Sequence, residues 1–188
     1  MNRPRFIAAL ALGVVAFGLT LTASEPPGPG LDPDAVSYVL AATTLVRSGT
    51  LLAPTYDWDS EAETVPLAHF PPGFPVTIAV GHALGLPPVQ SARIVVALSA
   101  LVTIATVVWL VGDAVGLGAG LLAGVLLMVT PAMVDTHLAI LSEPLFLACL
   151  ALTVLAMTRE RDRPLVYGVF AAAACMVRYA GVAAPAAA

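Results

Sequence analysis

Residues 93–135 read RIVVALSALVTIATVVWLVGDAVGLGAGLLAGVLLMVTPAMVD, and the only charges in that stretch are Arg93, Asp113 and Asp135. Each charge-free interval holds about 20 residues, the length a helix needs to cross a hydrocarbon core about 30 Å thick. Lipid offers no partner for exposed backbone amides, so apolar runs of this length are helices. Outward from this core the pattern continues, because from Thr64 to Thr158 the only other charged side chain is Glu143. Three further stretches qualify, and together the five spans are expected at about 6–23, 93–112, 115–135, 142–158 and 164–185. Over the 188 residues, 59% are hydrophobic and 11% charged, against about 45–50% and about 25% in a soluble domain. A single water-soluble domain is excluded, and the fold expected is an all-α polytopic membrane helix bundle in contact with the lipid bilayer.

Charge and cysteine usage remove other classes. Eight arginines and no lysine against twelve acids leave a net charge of -4, with no basic surface to neutralise phosphates, so nucleic acid is not a partner. Cys149 and Cys175 sit in apolar runs with no paired spacing, which suggests neither a disulfide scaffold nor a zinc site; buried, inert thiols are expected. Positive residues near span ends favour the cytoplasm. Arg3, Arg5, Arg159, Arg161 and Arg163 fall on one side if the spans alternate, which puts the N-terminus in the cytoplasm and residues 24–90 in a long outer loop. The first stretch then reads as an uncleaved anchor, with Thr22-Ala23-Ser24 as the site of the alternative, a cleaved signal peptide. The chain ends AGVAAPAAA inside an apolar segment, as the front part of a longer protein would.

The outer loop carries the candidate chemistry. After the stiff linker EPPGPG, Asp32 as N-cap, Pro33 at the first helical position and Gly49 past the end mark a helix too short to span, expected at the membrane surface. Asp32 is placed to turn its side chain back onto the amides of Asp34 or Ala35. Asp34 lies in the first turn, where the helix dipole favours a carboxylate, and Tyr38 is one turn on along the same face. Asp34 is therefore either a general base or metal ligand at the bilayer surface, or a second capping group. Asp57, Asp59, Glu61 and Glu63 alternate, yet the glycine and glutamate that a calcium loop needs are missing, so a solvated acidic loop is expected. The prolines of FPPGFP (Phe70 to Pro75) are expected to hold an extended corner, with 76–86 returning along the surface.

Further on, Gly116, Gly120 and Gly124 recur every four residues, the pattern of closely packed helices in lipid. GLGAG is not a dinucleotide loop, because no strand precedes it and its spacing is wrong. The turn PAMVDTHLAILSEP brings Asp135, His137 and Glu143 to the outer boundary, with Ser142 as a cap for the fourth span. Arg178 falls inside the fifth apolar stretch, where a charge costs about 2.5 kcal/mol or more and marks a functional pocket unless it snorkels to the headgroups.

The order of these motifs resembles a known family. The pattern D-x-x-x-Y (Asp34 to Tyr38), FPPGFP, an arginine opening the second span (Arg93), SEPLF (Ser142 to Phe146) and VRYAG (Val177 to Gly181) is similar to the N-terminal half of GT-C fold membrane glycosyltransferases. The nearest group is that of bacterial protein O-mannosyltransferases, lipid A aminoarabinose transferases and rhizobial lipopolysaccharide-core galacturonosyltransferases. The resemblance implies that 1–188 is the N-terminal part of one membrane glycosyltransferase domain. In it a sugar passes from a polyprenyl-phosphate donor to a hydroxyl on a lipid, glycan or protein acceptor, at the outer face of the cytoplasmic membrane. It also implies Asp34 as the catalytic carboxylate, Glu143 at the mouth of the fourth span and Arg178 facing the donor phosphate. Tyr38 and His69 complete the candidate substrate- and donor-binding set. Relatives often carry an Asp-Glu pair where this chain has Asp34-Ala35, so a divalent metal ion at Asp34 and Glu143 stays an open cofactor. A transporter, a lipid-linked sugar flippase or an inactive membrane fragment is the competing class; charges gathered at one face beside a long outer loop favour surface chemistry over passage.

Overall fold

The computed structural model describes residues 3–25, 32–55, 63–160 and 162–182. The expected acids Asp57, Asp59 and Glu61, and Arg161, lie outside the described residues. Those residues form an all-α membrane bundle. Helix α1 (Arg3–Ala23) and helix α4 (Pro88–Ala114) are each long and apolar enough to cross a bilayer. Helices α5 (Leu117–Met128) and α6 (Pro131–Leu138) qualify together as a span bent by 60°. The break follows from Thr130 in extended backbone and Pro131 opening α6, because a proline pushes its predecessor out of the helical region. Helix α7 (Glu143–Arg159, 17 residues) and helix α8 (Pro164–Val177, 14 residues) are shorter. The fifth stretch, expected to run to about 185, stops being helical at Val177 and continues as a 3₁₀ turn, Tyr179–Val182.

Helix α4 is the axis of the bundle, and small residues let its neighbours approach. On α1, Ala9 and Ala16 are buried, and a Cβ on Gly13 would lie 2.8 Å from the Leu101 carbonyl oxygen. On α5, a side chain at Gly120 or Gly124 would collide with Val108 on α4. Two of the three periodic glycines thus act as expected. Gly116 instead caps the start of α5 with a φ of 123°, and a Cβ there would meet nothing within 4 Å. At one end of the bundle, Asp113 takes Arg5 at 3.4 Å and Arg159 at 2.9 Å. At the other, Arg93 donates to the Leu21 carbonyl at 2.7 Å and to Ser24 at 3.2 Å. Arg93 was expected to open its span; it sits in the second turn of α4 and caps α1.

The segment between α1 and α4 is folded onto that second end. Helix α2 (Pro33–Ser48) begins and ends where Asp32, Pro33 and Gly49 place it, but Asp32 makes no side-chain cap bond. Two short strands, β1 (Leu52–Pro54) and β2 (Thr64–Pro66), pair antiparallel with Ala53 opposite Val65. Helix α3 (Gly73–Ala83) begins within FPPGFP, correcting the extended corner expected there. Pro75 falls in its first turn, where a missing amide costs no helical hydrogen bond. Phe74 and Ile78 are fully buried, so α3 inserts between α2 and α4 rather than lying on the surface. A Cβ on Gly73 would strike the backbone of Met176 and Val177, so only glycine lets α3 meet the end of α8.

Candidate functional site

Two helix ends, the start of α7 and the end of α8, meet beside Tyr38 of α2. Glu143 is the first residue of α7, its carboxylate favoured by the helix dipole. Arg178 follows the last residue of α8 in extended backbone, with its amide closing on the Ala174 carbonyl at 3.0 Å. It is therefore at a helix terminus and not inside the helix, which corrects the sequence expectation. Gly181 makes this turn possible, because a side chain there would overlap the backbone of Ala174 and Cys175. Arg178 and Glu143 form an ion pair. Their side chains are 37% and 33% exposed, and a pair so open to solvent is worth only about 0–1 kcal/mol. Such a pair orients a guanidinium without consuming it.

Ser142 and Tyr38 extend the cluster. Arg178 donates to the Ser142 hydroxyl at 3.4 Å, and the Tyr38 and Ser142 hydroxyls lie 3.3 Å apart. Ser142 was expected to cap α7. It makes no cap bond and is 2% exposed, so its hydroxyl serves as the link between arginine and phenol. Its place before Glu-Pro reads as a cap in sequence, and only the approach of Tyr38 to the start of α7 reveals the other role. Tyr38 is clamped by rings from the FPPGFP segment, Phe70 at 4.9 Å and Phe74 at 5.0 Å between centroids. Burial holds its phenol above the usual tyrosine range. The Ser142 hydrogen bond works against this, the negative charges of Asp34 and Glu143 add to it, and Arg178 opposes it. The Tyr38 hydroxyl thus feels every charged candidate that the sequence singled out.

Two cavities flank this cluster. Asp34, exposed on the first turn of α2, and His69 line one of about 480 Å³, with walls from α2 and the β1–β2 ribbon. His69 stacks edge-on against Phe70 at 4.9 Å. Tyr179, directly after Arg178, donates to the Ala68 carbonyl at 3.3 Å, so VRYAG is tied to the wall beside His69. The other cavity, about 660 Å³, is an apolar groove between α4, α6 and α7, with Glu143 and Arg178 as its charged lining. The five residues expected in the site are therefore divided: Asp34 and His69 in the first cavity, Glu143 and Arg178 in the second, and Tyr38 bonded to Ser142 between them.

Among the described residues no three of histidine, cysteine, aspartate and glutamate are grouped to hold a metal ion. Asp34 and Glu143 line different cavities, and Glu143 engages Arg178. Cys149 and Cys175 are free thiols, partly exposed and not fully buried as expected.

Residues 69–188 match the family model of the dolichyl-phosphate-mannose-protein mannosyltransferases. The matched region takes in His69, Glu143 and Arg178 and begins after Asp34 and Tyr38. Neither a curated protein sequence nor a solved structure matches the chain. The family match supports the GT-C resemblance at the level of the family, and with an apolar bundle that ends in a charged, two-cavity site, the chain belongs to the dolichyl-phosphate-mannose-protein mannosyltransferase family.

Proposed function

We propose that this protein transfers a sugar from a polyprenyl-phosphate donor to an acceptor hydroxyl at the outer face of the cytoplasmic membrane, with the N-terminus of α1 inside. One observation carries the reading: an arginine at the mouth of an apolar groove is joined through Ser142 and Tyr38 to the side of a cavity that presents a carboxylate. The groove suits an isoprenoid chain, and Arg178 suits its phosphate, which it binds by exchanging Glu143 for a stronger charge-assisted pair. The acceptor enters the cavity of Asp34 and His69; the family description points to a hydroxyl on protein. Asp34 takes the hydroxyl proton as the oxygen attacks the anomeric carbon. The bond from that carbon to the phosphate oxygen breaks, and the polyprenyl phosphate leaves with its charge held by Arg178. One displacement inverts the sugar.

The test is transfer by the full chain in right-side-out vesicles, with a labelled polyprenyl-phosphate hexose and a hydroxyl-bearing peptide supplied outside. Labelled peptide is the expected product. Movement of the donor between leaflets with no labelled product would favour a flippase. A cysteine placed at Glu63 should react with an impermeant maleimide in intact cells; reaction only after permeabilisation would reverse the topology.

A further inference from the structure

Nothing in the order of FPPGFP and VRYAG along the chain connects them, yet the fold presses one against the other. Gly73, the first residue of α3, meets the last turn of α8. A Cβ built there would lie 2.7 Å from the Met176 carbonyl carbon and 3.0 Å from the Val177 amide nitrogen, with the Met176 carbonyl oxygen closer still. All of these atoms are backbone, so no side-chain rotation relieves the overlap. The next residue of the chain is Arg178. Val177 is 4% exposed and belongs to the same buried cluster as Tyr38, Phe74 and Ile78, which anchors the end of α8 in the core. One residue beyond Arg178, the Tyr179 hydroxyl donates to the Ala68 carbonyl at 3.3 Å. Residues 68–74 therefore hold the backbone on both sides of Arg178.

Resting on the reading that Arg178 binds the donor phosphate, we propose that Gly73 is a positioning residue for that arginine. It sets the place of the guanidinium by fixing how closely the backbone at the end of α8 approaches α3, and Tyr179 supplies a second tie. The side chain of Arg178 needs such support, because its ion pair with Glu143 is open to solvent and holds it weakly. Its bond to Ser142 spans 3.4 Å, already longer than the about 2.7–3.2 Å of a typical N–H···O bond. A small displacement of the backbone loses that bond, and with it the link to Tyr38. Phe74, next to Gly73, packs edge-on against Tyr38 with centroids 5.0 Å apart. One short segment thus places the arginine and the phenol relative to each other. A methyl group at position 73 must move α3, the end of α8 or both, and either movement breaks that placement.

The experiment measures donor KM and kcat for the full chain, with a labelled polyprenyl-phosphate hexose, in the parent, Gly73→Ala, Arg178→Ala and the double variant. Gly73→Ala should raise donor KM about three- to tenfold, short of the about 10²-fold that a 1 Å misplacement can cost. In the Arg178→Ala background the same change should leave donor KM within about twofold, because two changes that act through one group do not add. A merely structural role gives another pattern, in which fewer folded molecules lower kcat per mole of protein and KM stays where it was. An unchanged donor KM in folded Gly73→Ala, or a rise of equal size with and without Arg178, would overturn the proposal. Should Gly73→Ala not fold, Tyr179→Phe decides, since it removes only the hydroxyl of a residue that is 63% exposed. It should raise donor KM about twofold, the low end for one hydrogen bond, and only while Arg178 is present; no rise would defeat the proposal. If Arg178→Ala itself has the donor KM of the parent, the phosphate reading fails first and Gly73 has nothing to position.

Discussion

The two ends of the bundle carry similar charges and do different things. At the Asp113 end, one carboxylate lies between two guanidinium groups, and Arg159 also sits 5.4 Å above the ring of Trp109. These contacts join α1, α4 and α7. At the Arg178 end, the ion pair leads by way of two hydroxyls from an apolar groove to a cavity with an exposed carboxylate. A count of charges does not separate a site from a clasp. Open space does not separate them either, since Arg159 and Glu160 line a cavity of about 500 Å³ beside Trp109; what separates them is the run of hydroxyls from Arg178 through Ser142 to Tyr38, next to the cavity of Asp34.

The largest effect that can test this contrast is at Asp34. Asp34→Asn keeps the shape and removes the base, so transfer should fall by about 10²–10⁴ with little change in thermal stability. Asp32→Asn should leave transfer within about twofold, because Asp32 is exposed and makes no cap bond. A dead Asp32→Asn beside an active Asp34→Asn would shift the assignment by two residues.

Next in size is Arg178. Arg178→Lys keeps a positive charge but loses the planar fork, so the KM for donor should rise about tenfold, and Arg178→Ala should raise it further. Arg159→Ala, at the other end, should leave donor KM unchanged. Equal donor KM in Arg178→Ala and the parent would sink the phosphate role and with it the distinction between the ends.

How much of this was legible in the sequence follows from how local each signal is. The limits of α2 are written in Asp32, Pro33 and Gly49, because capping depends on neighbours in the chain. The apolar helices are legible from hydropathy alone. The end of α8 is not, because AAAACMVRYAGV is apolar on both sides of Arg178-Tyr179 and the end of the helix at Arg178 depends on Gly181 fitting against Ala174. For the same reason Arg178 read as a residue within a helix. FPPGFP looked extended from its prolines, yet a proline in a first turn is compatible with helix, and burial of Phe74 decides the outcome. Asp34, Tyr38, His69, Glu143 and Arg178 were chosen by type and order. Their division between two cavities, and the link through Ser142, exist only once the fold brings Tyr38 of α2 to the start of α7 and the end of α8.

A smaller effect should come from Tyr38. Tyr38→Phe keeps the ring contacts with Phe70 and Phe74 and removes the bond to Ser142, so turnover should drop about three- to tenfold with stability nearly intact. Because burial raises its pKa, the phenol is protonated at neutral pH and ionises only above the usual tyrosine value of about 10. The pH–rate profile of the parent should therefore show no alkaline limb from this residue below that point, and Tyr38→Phe should have the same shape. An alkaline limb near neutrality that disappears in Tyr38→Phe would show an ionised phenolate in the reaction.

The smallest effect is expected at the clasp, and it bears most directly on the contrast between the ends. Asp113 is 51% exposed, and its partners Arg5 and Arg159 are 34% and 41% exposed, so solvent screens both pairs. Each is then worth about 0–1 kcal/mol. Asp113→Asn removes the charge and keeps an oxygen that can still accept from one guanidinium. The apparent melting temperature should fall by a few degrees at most, and less at high salt, where the parent has already lost part of the attraction. Transfer rate and donor KM should not move, because Asp113 lines neither the cavity of Asp34 nor the groove of Arg178. If Asp113→Asn instead slowed transfer as strongly as a change at Arg178, the clasp would be coupled to the chemistry along α4 and α7, and the two ends would have to be treated as one device.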